Sequence, residues 1–128
     1  MTKYVVDSCA WIEYLEGSEK GVHLATILES NANTIITSSA TLAEIISKFE
    51  RHSKNSTLAA ECITSLSTIQ DVHREIAIAA GKVHAKAKKK IKDFGMLDAF
   101  VAATAQITGG KILTGDAHFK TFKNAVLI

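Results

Sequence analysis

The sequence predicts an α/β protein in which a central, mostly parallel, twisted sheet of four to five strands lies between two helical layers. Two observations predict it. Short continuous apolar runs recur along the chain, and stretches with helical spacing fill the gaps between them. The apolar runs do not alternate with polar residues, which is the signature of strands covered on both faces. Strands alternating with helices build a parallel sheet between helical layers.

The runs, in order, are residues 4–7 (YVVD), 34–37 (TIIT), a weaker one at 69–72, 111–114 (KILT), and AVLI at 125–128. Between the first two, the stretch from Ser8 reads as helix, and Val22, Leu24, Ala25, Ile27 and Leu28 mark another. Leu42, Ile45, Ile46 and Phe49 follow i, i+3, i+4, i+7 spacing. Further helices are expected over 57–66, 75–92 and 97–107, the last stopped by Gly109 and Gly110. Proline is absent, and no repeat or linker interrupts the chain, so residues 1–128 are expected to form a single domain.

Composition narrows the function classes. Of the 128 residues 47% are hydrophobic and 22% charged, which fits a globular protein and argues against disorder. No apolar run approaches the ~18 residues that span a bilayer. The N-terminus lacks a long apolar stretch followed by a small-residue cleavage site, so a cytoplasmic protein without membrane contact is expected. Cys9 and Cys62 stand far apart, and the five histidines show no paired spacing, so no zinc site is predicted. The net charge of +2 does not by itself announce a nucleic-acid binder. Its distribution says more: Lys86, Lys88, Lys89, Lys90 and Lys92 crowd into seven residues.

The candidate chemistry is acidic. In open α/β sheets ligands sit beyond the carboxyl ends of the strands. Asp7 ends YVV there, and Asp116 follows KILTG in the equivalent place. An Asp in that position also caps the following helix, so both roles stay open. Asp98 is the single charged residue from Leu97 to Gly110, on a helix that should be largely buried; cap and ligand are equally good explanations. Glu44 falls opposite the Leu42, Ile45, Ile46, Phe49 stripe. Its spacing points to the surface, as part of a capping box with Thr41 and an i, i+4 pair with Lys48.

Four segments, YVVDSCAWIEYL, SSATLAEIISKF, FGMLDAFVAATA and KILTGDAHF, occur in the order and spacing of a PIN domain. The resemblance covers essentially the whole chain. It is nearest to the small single-domain ribonucleases typified by the VapC toxins of toxin–antitoxin pairs. It implies a three-layer PIN-like fold whose acidic pocket binds Mg2+ or Mn2+ and cleaves RNA. By position, Asp7, Glu44, Asp98 and Asp116 would be the acidic residues, with Ser8 and Thr114 as polar supports near the metal. A small antitoxin partner and a homodimer are also implied. Many relatives carry a further acid shortly after the position of Asp116, where this chain has Ala117-His118-Phe119; His118 is read first as a solvent-exposed residue, then as a substitute ligand or phosphate contact.

Divalent-metal hydrolysis suits these residue types. Mg2+ and Mn2+ are hard ions that prefer carboxylate oxygens and retained waters. No serine or cysteine has the partners of a covalent nucleophile. The lysine cluster and Arg51 are candidate RNA contacts, although lysines at a helix C-terminus also complement its dipole. Trp11 and Tyr14 are assigned to the core or to an interface. A phosphoacceptor receiver domain would need paired acids after the first strand, and DSC lacks the D-x-D of a haloacid-dehalogenase-like phosphatase. The remaining rival is a PIN-like module that binds RNA or a partner without cutting.

Overall fold

The structure, a computed structural model, describes residues 1–128. Five strands form one sheet: β1 (Thr2–Val6), β2 (Asn33–Ser38), β3 (Thr68–Gln70), β4 (Lys111–Thr114) and β5 (Ala125–Leu127). Their spatial order is β3-β2-β1-β4-β5 and every pairing is parallel. The predicted three-layer α/β/α architecture is therefore present, with all five strands parallel.

Continuous apolar runs are needed because each strand serves two cores. Val5 pairs with Ile36 on one side and Ile112 on the other, making a row of β-branched side chains on one face. Val6, Ile35 and Leu113 point to the opposite face. The first row packs against α5 (Arg74–Lys88) and α6 (Met96–Thr108) through Ile76, Ala80 and a run of buried alanines. The second packs against α1 (Ser8–Glu16), α2 (Glu19–Leu28), α3 (Ser39–Arg51) and α4 (Ser56–Leu66). Trp11 is fully buried there, with its indole Nε1–H donating to Thr37 Oγ1 at 3.0 Å, so it belongs to the core and is removed from any interface.

Three boundaries differ from the sequence expectation. The third strand is Thr68–Gln70 instead of 69–72, and Val72 packs on the core from the turn that follows. The expected helix over 75–92 ends at Lys88. Beyond it the chain turns inward to seat Ile91 against the core and to bury Phe94 completely, which a straight continuation would not permit. Lys88 Nζ donates to the carbonyl of Lys92 at 2.6 Å and ties this turn. Finally, α3 starts at Ser39, two residues before Thr41. Ser38 is its N-cap, with Oγ accepting from Ala40 N–H, so the capping box expected of Thr41 and Glu44 does not form.

Glycine is required where α1 meets α2. Gly17 closes α1 in the left-handed conformation at φ 68°. Gly21 then lets the backbones touch: a Cβ there would come 2.1 Å from the Glu13 carbonyl oxygen. Because the obstacle is backbone, Gly21→Ala is expected to destabilise the protein by about 3 kcal/mol in urea unfolding. A loss below about 0.5 kcal/mol would mean that the two helices are free to separate.

Candidate functional site

The strand order reverses direction between β1 and β4, and their carboxyl ends lie side by side at that switch point. Asp7 follows β1 directly. Its side chain is 4% exposed, yet it is fully engaged. Oδ1 accepts from Ser8 N–H at 2.8 Å, capping α1. Oδ2 accepts from the Thr114 hydroxyl at 2.8 Å, across from the end of β4. Thr114 Oγ1 in turn accepts from Asp116 N–H at 2.9 Å. One hydroxyl thus fixes the two acidic strand ends relative to each other. The sequence left cap and site as alternatives for Asp7; the structure shows the cap, made through Oδ1, with Oδ2 turned to Thr114 at the end of β4.

Asp98 and Asp116 reach the same place from other directions. Asp98, in the first turn of α6, accepts from Gly95 N–H through Oδ2 at 3.0 Å. Asp116 caps the single 3₁₀ turn Ala117–Phe119, with Oδ1 accepting from His118 N–H at 2.8 Å. In each, one oxygen takes the hydrogen bonds from the chain, while Asp98 Oδ1 and Asp116 Oδ2 take none. His118 stands between them: Nδ1 is 3.0 Å from Asp98 Oδ2 and 3.5 Å from Asp116 Oδ1. Donor atoms of Asp98, Asp116 and His118 all lie within 4.8 Å of one another. The reading of His118 as a solvent-exposed residue is corrected, since its side chain is 25% exposed and ringed by acids. The 3₁₀ turn folds it back over the pocket because Phe119 is fully buried and anchors the turn.

Asp7 and Glu44 adjoin this trio without joining it. Burial pushes the Asp7 carboxyl above the ordinary carboxylate range against the pull of its Thr114 and Ser8 hydrogen bonds, and the charge of Asp98 adds to the rise. Glu44 is half-buried, and burial raises its pKa too. Its contact with the Ser8 side chain acts in the opposite direction, and the charges of Asp7 and Asp98 add to the rise. The surface position expected of Glu44 is therefore corrected: it faces the other acids from α3. Its spacing could not reveal this, because the sheet decides which side of α3 is covered. Cys9 lies beneath, with its thiol pushed up to about 11 by burial first and by the Asp7 charge second. Gly115 N–H donates to its Sγ at 3.1 Å.

Asp93 was not singled out in the sequence. It sits in the turn before α6 and accepts from the other ring nitrogen of His118, Nε2 to Oδ2 at 3.0 Å. The His118 imidazole holds the Asp93 carboxyl below its ordinary value, and Asp93 and then Asp98 raise the His118 pKa. The signal available in sequence was a short-range one, an acid one residue before a buried aromatic in FGMLD's approach to Asp98. It is too common to have been diagnostic.

The basic residues divide. Lys86 and Lys90 line a cavity of about 580 Å3 whose apolar walls are Val83, Ala87, Ile91 and Phe122. Phe122 is stacked on Phe94 at an interplanar angle of 10°, and Phe94 also contacts the His118 ring. The cavity and the acidic group are therefore linked through the stacked pair Phe122 and Phe94. Lys89 is the C-cap of α5, Lys88 Nζ is held by the backbone carbonyl of Lys92, and the Lys92 side chain itself is exposed. Arg51 closes α3, about 10 Å along the helix from Glu44, with its Nε donating to Ser47 Oγ. It is not part of the acidic group.

Comparison with known proteins agrees with this architecture. Among solved structures, VapBC2 from Rickettsia felis, described as bound to a DNA fragment from the promoter, is similar at a TM-score of 0.78 and 20% identity, covering 99% of this chain and 98% of that chain. VapC20 from Mycobacterium tuberculosis, described as a toxin cleaving the sarcin–ricin loop, gives a TM-score of 0.76 at 16% identity, with 95% and 96% covered. DNA-bound VapBC from Salmonella typhimurium gives 0.74 at 20%, with 100% and 98% covered. At these identities the likeness is one of fold. No curated protein matches the chain. The PIN domain family model matches residues 4–124, so the chain belongs to the PIN domain family.

Proposed function

We propose that this protein is an endoribonuclease that hydrolyses RNA phosphodiester bonds with a divalent cation, Mg2+ or Mn2+, and that it is the toxin of a VapBC-type pair. The observation that carries the reading is the convergence of Asp7, Glu44, Asp98 and Asp116, from four separate segments, at the switch point of a parallel sheet. The donor set suits such an ion: Asp98 and Asp116 each keep an oxygen free of hydrogen bonds, and the raised pKa of Asp7 and of Glu44, due first to burial, is increased further by the neighbouring acidic charges.

In this reading Asp7, Asp98 and Asp116 hold the ion directly or through water, and Glu44 holds the ion or orients the attacking water. The ion, when bound, acidifies that water and acts as a Lewis acid on a phosphate oxygen. Thr114 and Ser8 fix the carboxylates, so that little reorganisation is needed when substrate arrives. Hydrolysis is direct, because Ser8 lacks a histidine base and the Cys9 thiol is held protonated at neutral pH.

The toxin assignment is supported by the likeness to solved VapBC complexes, one of whose relatives is described as cleaving the sarcin–ricin loop. A small antitoxin, a homodimer and a cytoplasmic location belong to the same proposal. No helix is long and apolar enough to cross a membrane. A rival reading, a PIN module that binds without cutting, draws on His118 standing where many relatives have an acid.

The test is cleavage of single-stranded RNA with Mn2+ or Mg2+. Activity should vanish with excess chelator and return when metal is restored; binding without cleavage under every metal would favour the non-catalytic module. For substrate grip, Lys86 and Lys90 beside the aromatic-walled cavity are the proposed phosphate contacts. Charge removal at both is expected to weaken RNA binding and to flatten its salt dependence by about two in log–log slope. An unchanged slope would remove these lysines from the interface.

A further inference from the structure

We infer that His118 is a metal ligand held in place by Asp93, and that it shifts the site away from Mg2+ toward a first-row transition-metal ion such as Mn2+. This rests on the proposed metal-dependent function and names the ion that function would use.

The argument starts from the two ring nitrogens. Nδ1 faces the acidic group, within reach of both Asp98 and Asp116, and shares with them a set of donor atoms no more than 4.8 Å apart. Nε2 faces away, to the Asp93 carboxylate at 3.0 Å. A ligating histidine that gives its second N–H to a carboxylate is oriented and made more basic by it, with the tautomer fixed so that the other nitrogen keeps its lone pair. Asp93 supplies that carboxylate; in the metal-free protein Nδ1 gives its own hydrogen to Asp98 Oδ2 at 3.0 Å, so a bound ion would take the place of that proton while Nε2–H stays on Asp93. Phe94 and the buried Phe119 hold the ring from the side and from its own turn.

An Asp–Asp–His donor set differs in kind from an all-carboxylate one. Imidazole nitrogen adds little for Mg2+, which demands oxygen ligands and retained water. It adds more for Mn2+ and later first-row ions, whose affinity for nitrogen donors rises along the series. Replacing a carboxylate by a neutral imidazole also lowers the negative charge of the site, which weakens the hard, mainly electrostatic binding on which Mg2+ depends. The acid missing after Asp116 is therefore a change of ion preference and not a decayed site.

The experiment uses the full chain titrated with MnCl2 and with MgCl2 by calorimetry, together with pulsed electron paramagnetic resonance of the Mn2+ form. The wild type should bind Mn2+ the more tightly and show 14N modulation from a coordinated imidazole. His118→Asp should remove that modulation, retain Mn2+ and lower the Mn2+-to-Mg2+ affinity ratio by about tenfold or more. Asp93→Asn changes a side chain that is 82% exposed, so the fold is retained; it should keep the 14N signal while weakening Mn2+ binding by about tenfold. Mn2+ bound with no 14N modulation in the wild type, or an unchanged ratio in His118→Asp, overturns this inference and leaves the proposed function standing. Failure of the wild type to bind either ion overturns both.

Discussion

Asp98→Asn is expected to lower metal-dependent RNA cleavage by about 10²–10³-fold, the usual loss when one preorganised electrostatic group is removed from a reaction centre. The side chain has two jobs, and the substitution separates them. Asparagine can still accept from Gly95 N–H, and Asn and Asp cap helices about equally well, so α6 should start where it does now. What disappears is the anionic oxygen of Asp98 that no group in the chain uses. Single-turnover cleavage with Mn2+, run beside a thermal melt, checks both halves. A full-rate variant would remove Asp98 from the chemistry, and a collapsed melt would show that its structural role had been underestimated.

Asp7→Asn should produce a comparable loss of cleavage together with a gain in stability of about 1 kcal/mol for the metal-free protein. Asp7 is buried, and burial, with Asp98 nearby, raises its pKa above the ordinary carboxylate range. A raised carboxyl favours the folded state while it is protonated. That contribution is whole below the ordinary value near 3.9 and is lost as pH climbs through the raised value. At pH 7 the charged form is a burden that asparagine does not carry. The advantage of the variant should therefore be present at neutral pH and fade in acid, and divalent metal should narrow it by stabilising the wild type alone. Urea unfolding at pH 7 and pH 4, with and without Mn2+, measures this. A variant less stable than the wild type at pH 7 would mean that the Thr114 and Ser8 hydrogen bonds outweigh the burial of the charge.

How much of this was legible depends on range. The strands were legible because residues such as Val5 and Val6 must satisfy two cores, which leaves a continuous apolar run. Asp7 and Asp116 were legible because the carboxyl ends of parallel strands share an edge whatever the details. Glu44 was misread from its own helix: its i, i+4 partner and capping pattern describe α3 in isolation, whereas the side of α3 that faces Asp7 is set by packing on β1 and β2. His118 was misjudged for a similar reason. Its position follows from the burial of Phe119, one residue on, which swings a polar neighbour over the pocket. Asp93 stayed hidden because its role exists only through His118, 25 residues away. The helix end at Lys88 was lost to a run of good helix formers; burial of Phe94, a tertiary demand, overrides their propensity.

The central claim, that acids scattered through the chain share one divalent ion, is tested most directly by anomalous diffraction from crystals soaked in MnCl2. The account predicts a single strong anomalous peak in the pocket bounded by Asp7, Asp98, Asp116 and His118, with Glu44 beside it. Soaked crystals with no peak there, or with manganese bound only at other surfaces of the molecule, would contradict it.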